Sequence, residues 1–240
     1  MKRSLLYLLV TAALCGAVFL FGGWQKPAPQ QIIPHKNLVA SYFHDRDSIN
    51  TKRKALYSKY VNSKTTAQKE AILHQARSVF LSGITQKLFP YWYGTPWEFY
   101  GYGDTPRVNA VACGYFVAIL LRDAGAKVNV YNLAEGTSGA MIQKLVSKEY
   151  IKKYRETEAT AFFNSVKTEG DGLYIVGLDQ HTGFLSCENG KLYFIDSAPN
   201  DVQRHDPFDS YWLVSSHFRM TGKVSDDPQF LRKWLGGVGF

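Results

Sequence analysis

The chain has 240 residues, of which 45% are hydrophobic, 20% charged and 15% aromatic, and its net charge is +8. That length supports one well-packed domain plus an N-terminal extension, and the apolar content excludes wholesale disorder. The charge is lopsided: residues 1–90 carry 13 Lys and Arg against 3 Asp and Glu, and the rest carry 15 against 17. With no recognition motif beside it, this leading basicity argues against nucleic acid and for an anionic lipid or wall polymer.

Lys2 and Arg3 precede a stretch without charge from Ser4 to Gln25. Such a run predicts a signal peptide or N-terminal membrane anchor over residues 1–25, with everything beyond it exported. Leu14 is bulky where a lipoprotein box before Cys15 needs Gly or Ala, and the apolar run continues past it, which favours an uncleaved anchor. Residues 26–46, rich in Pro and Gln, read as an extended tether. Residues 47–90 read as a basic helical segment. A short helix runs from Asp47 to Asn62, and a second from Thr65 to Lys87 places Ile72, Ala76, Val79, Phe80 and Ile84 at helical spacing.

Residues 91–240 form the remaining domain. The stretch FPYWYGTPWEFYGYGDTPRVNA (89–110) is dense in Gly, Pro and rings and predicts a loop, whose aromatics cover a core or line a groove. A helix over Cys113–Ala124 is stopped by Gly125, with Cys113, Phe116, Val117, Leu120, Leu121 and Ala124 on its apolar stripe. Lys127–Leu133 alternates like a strand. Residues 138–167 look helical, with Ser138 and Thr157 as caps. Gly170–Leu178 begins a β-rich stretch, Ser210–Phe218 predicts another strand, and Asp226–Leu235 predicts a closing helix, acidic first and basic last.

Asn189-Gly190 reads as a two-residue hairpin turn. Counting outward, Glu188 faces Lys191, Cys187 faces Leu192, Leu185 faces Phe194, Gly183 faces Asp196 and His181 faces Ala198. Alternation puts His181 and Asp196 on one face as diagonal neighbours, with Gly183 leaving room for the imidazole. A carboxylate so placed holds a histidine in one tautomer. Asp179 shares the strand parity of His181 and is an alternative orienting group. Of the two downstream cysteines, Cys187 lies six residues along the same strand, about 20 Å from His181 at strand rise. Cys113, at a helix start, gains thiolate character from free backbone N–H groups.

Together these features resemble the NlpC/P60 family of papain-like cysteine peptidases. The matching pieces, in order, are GTPW (94–97), ACGYFVAILLRDAG (112–125), GDG (170–172), HTGF (181–184) and NGKLYFIDS (189–197). The chain departs from the family in having Ala112 and Gly114 beside the cysteine, Asp196 as third residue and Trp97 where the family has an oxyanion-binding Tyr. The resemblance implies an α+β, papain-like/NlpC-P60-like fold in which a Cys-bearing helix packs on an antiparallel sheet carrying His and Asp. It implies Cys113 as nucleophile, His181 as base then acid, and Asp196 as its orienting group. Trp97, Tyr100 and Tyr102 are the oxyanion candidates, and Trp92, Trp97, Phe99 and Tyr100 would line a groove for a peptidoglycan peptide.

Two other readings stay open. A transglutaminase-like acyl transferase would use the same three residues with an amine as acceptor. A Cys113–Cys187 disulfide would make the domain a wall-binding or structural module. His35, His44, His74, His205 and His217 form no metal-ligand spacing, and no phosphate-binding Gly-rich motif occurs, so neither metal nor cofactor is implied.

Overall fold

In a computed structural model, residues 37–240 are described; the predicted leader or anchor, Cys15 and the first part of the tether lie outside the described residues. Six strands form one antiparallel sheet: β1 (Ile151–Arg155), β2 (Gly172–Leu178), β3 (Thr182–Glu188), β4 (Lys191–Ser197), β5 (Val202–His205) and β6 (Phe218–Gly222), in the order β1-β6-β2-β3-β4-β5. The chain is therefore α+β. At the β3–β4 turn Asn189 and Gly190 both have positive φ, 52° and 74°, the primed turn that matches strand twist. The register follows from it: Glu188 pairs with Lys191, Cys187 with Leu192 and Leu185 with Phe194, as the alternation predicts.

Nine helices among the described residues pack around this sheet: α1 (Leu38–Asn62), α2 (Thr66–Ser82), α3 (Phe89–Trp92), α4 (Cys113–Asp123), α5 (Val130–Ala134), α6 (Ser138–Leu145), α7 (Ala159–Thr168), α8 (Tyr211–Ser215) and α9 (Pro228–Gly236). None is long and apolar enough to cross a membrane. Alternation along the strands splits the core in two. Leu173, Ile175, Phe184 and Ile195 face α4, whose Phe116 meets Phe184 ring to ring at 6.0 Å. Tyr174, Val176, Leu185 and Phe194 face the opposite way and are covered by Phe162, Phe163 and Val166 of α7 and Leu213 of α8.

Several sequence expectations are corrected here. The tether does not extend to residue 46, because α1 begins at Leu38 and buries Leu38 and Tyr42. Nor are residues 47–90 a separate basic segment: α1 and α2 share the larger core with α4 and α9. Arg53 of α1 donates to the Trp234 and Leu235 carbonyls at 3.1 and 2.8 Å, satisfying the free C-terminal end of α9. The helix α2 starts at a capping box between Thr65 and Gln68 and runs on as a π-helical turn over Gly83–Leu88. Residues 138–167 hold two helices, α6 and α7, as expected, but the strand β1 lies between them. The cap of α6 is Thr137, whose side chain accepts the Ala140 N–H, and α7 follows Glu158 rather than a Thr157 cap. The predicted strands at 127–133 and 210–218 each contain a short helix. Asn129 caps α5 through the Asn132 N–H, and Ser210 caps α8 through the Leu213 N–H. In both segments the side-chain oxygen offers the backbone a helical turn where apolar alternation alone reads as strand.

Candidate active site

Cys113 is the first residue of α4, preceded by Ala112 in extended conformation. The approach to it is tied down from three sides. Val111 N–H donates to the Pro96 carbonyl (2.9 Å), Ala112 N–H to the Gly101 carbonyl (2.8 Å), and the Ser197 hydroxyl to the Val111 carbonyl (2.6 Å). The last bond joins the start of α4 to the strand residue that follows Asp196. Gly114 is required here: a Cβ at this position would sit 2.7 Å from the Ala134 carbonyl oxygen of α5. That close approach accounts for Gly beside the cysteine.

His181 lies in the β2–β3 turn, just before Thr182 opens β3. Its Nε2 is 2.7 Å from Asp196 Oδ2, and both side chains are buried. Gly183 makes room for this pair, since a Cβ there would come within 2.9 Å of Asp196 Cβ and 2.7 Å of Phe194. With Nε2 committed to Asp196, Nδ1 is the nitrogen left to act on the neighbouring Cys113 thiol, whose ionisation the imidazole favours. The Trp212 indole stacks on the imidazole at 5.1 Å and 26°, shielding the His181–Asp196 bond. The imidazole thus couples the carboxylate on one side to the thiol on the other.

His205 holds the same carboxylate. Its Nε2 is 2.8 Å from Asp196 Oδ1. In the β4–β5 register His205 faces Phe194 while Asp196 faces Gln203, so His205 is a diagonal neighbour of Asp196, as His181 is from the other side. The carboxylate therefore has one oxygen on each histidine. Sequence reading notes only that His205 shares no metal-ligand spacing; the signal that could have found it is the β4–β5 register, hidden because the turn at residues 198–201 has no Asn-Gly signature.

The electrostatics follow from these contacts. Burial pushes the Cys113 thiol up, but the hydrogen bond and charge of His181, with the Thr182 and Gly114 N–H groups, outweigh it and leave the thiol below its ordinary 9. Burial also disfavours a charged His181, yet the bonds to Asp196 and Cys113 lift it from 6.5 to about 9. Burial would raise Asp196, and the bonds to His181 and His205 bring it below its ordinary 3.8. Thiolate, imidazolium and carboxylate hold one another charged.

Cys113 and His181 open onto a cleft of about 610 Å³ whose wall includes Gly114, Ser138, Lys153, Arg155, Gln180 and Met220. Cys113 is only half-buried, so it leaves the fully buried stripe of Phe116, Val117, Leu120 and Leu121 to face this opening.

The other predicted site residues are not brought to the thiol. Trp92 is fully buried and its indole N–H donates to Tyr42 Oη (3.1 Å), so it belongs to the core and lines no groove. Tyr100 and Tyr102 are exposed and line a separate depression with Tyr115 and Tyr131, one that contains neither Cys113 nor His181. Trp97 is half-buried, its backbone N–H bonded to the Asn200 carbonyl; it does not line the Cys113 cleft. Asp179 does not orient His181, because its two oxygens accept the His217 and Phe218 N–H groups at the start of β6 (2.7 and 3.1 Å). The disulfide reading is corrected as well: Cys113 and Cys187 are both free, and the Cys187 thiol donates instead to Asp171 at 3.4 Å. No cluster of metal-binding side chains occurs among the described residues.

No family model, curated protein or solved structure matches this chain. Its chemistry is therefore argued from the geometry of the cleft.

Proposed function

We propose that this chain is an exported papain-like cysteine hydrolase that cleaves amide bonds in cell-wall peptides through a Cys113 acyl-enzyme. The observation that carries the proposal is the coupling of the Cys113 thiol through His181 to Asp196, set at a helix start on the wall of an open cleft. The Cys113 thiolate attacks the amide carbonyl carbon, and the oxyanion that forms is met by the Cys113 backbone N–H at the start of α4. As the C–N bond breaks, imidazolium His181 gives its Nδ1 proton to the leaving amine. Water then attacks the thioester, His181 takes the water proton, and the thiolate leaves as the acid product forms. Asp196 holds the imidazole in place and balances its charge in both half-reactions. Export and a wall peptide as substrate rest on the N-terminal apolar run and on the resemblance to NlpC/P60 enzymes.

Asp196 as third member, a carboxylate rather than a neutral polar group, favours a second reading in which an amine replaces water as acceptor. Incubating the full chain with wall peptides in ¹⁸O-water separates the two. Hydrolysis places one heavy oxygen in a new carboxylate, and the signal is lost in Cys113→Ala. Ammonia release that depends on added lysine, without heavy oxygen in the product, would establish transfer instead. If neither product forms from any peptide offered, the enzyme reading is wrong.

A further inference from the structure

The strand β1 reads Ile-Lys-Lys-Tyr-Arg, and alternation divides its residues between two faces. Lys152 and Tyr154 point to the α7 side. Lys152 pairs with Glu169 at 3.1 Å, and the Tyr154 ring meets Phe162 at 4.8 Å. Lys153 and Arg155 point the other way, beside Met220 and Phe218 of β6, with which they are in register. That face is the wall of the Cys113 cleft. Both side chains are exposed, and neither enters any of the ion pairs among the described residues. The Arg155 guanidinium lies over the Phe218 ring at 5.0 Å, a contact that fixes its direction and leaves its charge uncompensated. The one acid in the cleft wall, Asp179, is committed to two backbone N–H groups, and nearby Glu156 pairs with His217 at 2.9 Å. The cleft therefore presents two unneutralised cations beside a nucleophile, on an edge strand that solvent reaches freely.

Resting on the hydrolase reading, we infer that this cleft selects acyl donors carrying a carboxylate close to the scissile carbonyl, and that Lys153 and Arg155 are the residues that select it. Two like cations on one wall of a cleft add their potentials and draw an anion toward it, an attraction that salt screens because both are exposed. Arg155 suits a planar carboxylate, and Lys153 adds a mobile point charge. The preference belongs to the substrate because, among the described residues, no carboxylate is placed to neutralise these groups.

The test uses two near-isosteric alkylating agents on the full chain: iodoacetate, which carries a carboxylate, and iodoacetamide, which does not. In each, the thiolate displaces iodide and forms a thioether, so no substrate turnover is needed. The ratio of the two rates at Cys113, identified by peptide mapping and referred to free cysteine, is expected to favour iodoacetate. In K153Q/R155Q the ratio is expected to fall about threefold to tenfold at low salt, and the fall to shrink in high salt. The iodoacetamide rate should be unchanged, which also shows that the variant is folded. His181 keeps its charge in this variant, so the change in ratio reports the two cations alone. A ratio that does not move in the double variant, or in the charge-reversed R155E, overturns the inference. Protection by succinate and by inorganic phosphate at matched ionic strength distinguishes the anion. Stronger protection by succinate supports the carboxylate, and stronger protection by phosphate overturns it. Because alkylation needs no amide cleavage, a chain that shows the selectivity yet cleaves nothing refutes the hydrolase reading and leaves only the carboxylate preference of the cleft standing. Cleavage indifferent to a substrate carboxylate does the reverse.

Discussion

The two ends of β3 hold thiols in opposite electrostatic settings. At its start, Cys113 faces the His181 imidazole and two backbone N–H groups, and its thiol is held below the ordinary value. At its end, Cys187 faces the Asp171 carboxylate and is pushed up to about 11 by burial and by that bond. Burial opposes ionisation at both, so the sign of the partner decides which thiol is a nucleophile. The carboxylate beside Cys187 disfavours its thiolate, and the imidazole beside Cys113 favours the thiolate that the proposed hydrolysis needs.

The largest predicted effect breaks this asymmetry at its reactive end. Cys113→Ala is expected to abolish amide cleavage, and His181→Ala to lower kcat/KM by at least about 10³-fold, whereas Cys187→Ala should leave turnover near that of the parent. Steady-state kinetics on the three variants checks this; equal losses at Cys113 and Cys187 would undo the assignment of roles. Asp196→Asn keeps the shape of the carboxylate but removes its charge and offers an N–H where His181 needs an acceptor. Its loss should approach that of His181→Ala.

Next in size is the pH response. The Cys113 alkylation rate is expected to rise with a midpoint below 9 and to lose that advantage in His181→Ala, while turnover falls above about 9 as the imidazolium gives up its proton. Stability follows the same groups. His181 is raised in the folded state, so its contribution is complete below 6.5 and is lost as pH rises through about 9. Asp196 is lowered, so its contribution is present above 3.8 and is lost as pH falls through its depressed folded value. A single-limbed alkylation profile that matches free cysteine would mean the ion pair does not form.

A smaller effect belongs to His205, which touches neither thiol nor cleft and acts by holding Asp196. His205→Ala should lower kcat by about tenfold with little change in KM, as when an outer partner that orients a histidine is removed. His205→Gln, which keeps a donor, should recover part of the loss. The descending limb should move to lower pH, because an Asp196 free to turn supports the imidazolium less well. A variant that loses melting temperature with an unshifted pH limb would mark His205 as structural only.

How far the site could be read from the sequence depended on how local its determinants are. The β3–β4 hairpin was legible because Asn189 and Gly190 set a register that alternation propagates for eight residues, which puts His181 beside Asp196. His205 and the cations of β1 were not legible. Asn200, with φ 102°, turns β4 into β5 without a two-residue signature. The β1 strand is an edge strand with mostly exposed side chains and no apolar alternation to mark it. The aromatic loop misled in a different way. Composition placed its rings in one region, but packing divided them, sending Tyr91, Trp92 and Tyr93 into the core and leaving Phe99, Tyr100 and Tyr102 exposed.

The smallest predicted effect tests the unreactive end of β3. Asp171 accepts the Cys187 thiol and also the Asn189 and Gly190 N–H groups at 2.8 and 2.9 Å, so one carboxylate serves both the thiol and the hairpin turn. In Asp171→Asn the hydrogen-bonding shape is largely kept and the charge is removed. If the partner's sign governs the thiol, Cys187 should titrate below about 11 yet stay above a free thiol, because burial still opposes the thiolate. Ultraviolet thiolate absorbance in a Cys113→Ala background reads this shift without interference from the first cysteine. Turnover in the Asp171→Asn single variant should be unchanged, since Asp171 and the cleft lie at opposite ends of the strand. A Cys187 titration that does not move would assign its inertness to burial alone, and the contrast between the two thiols would then rest on what His181 does for Cys113.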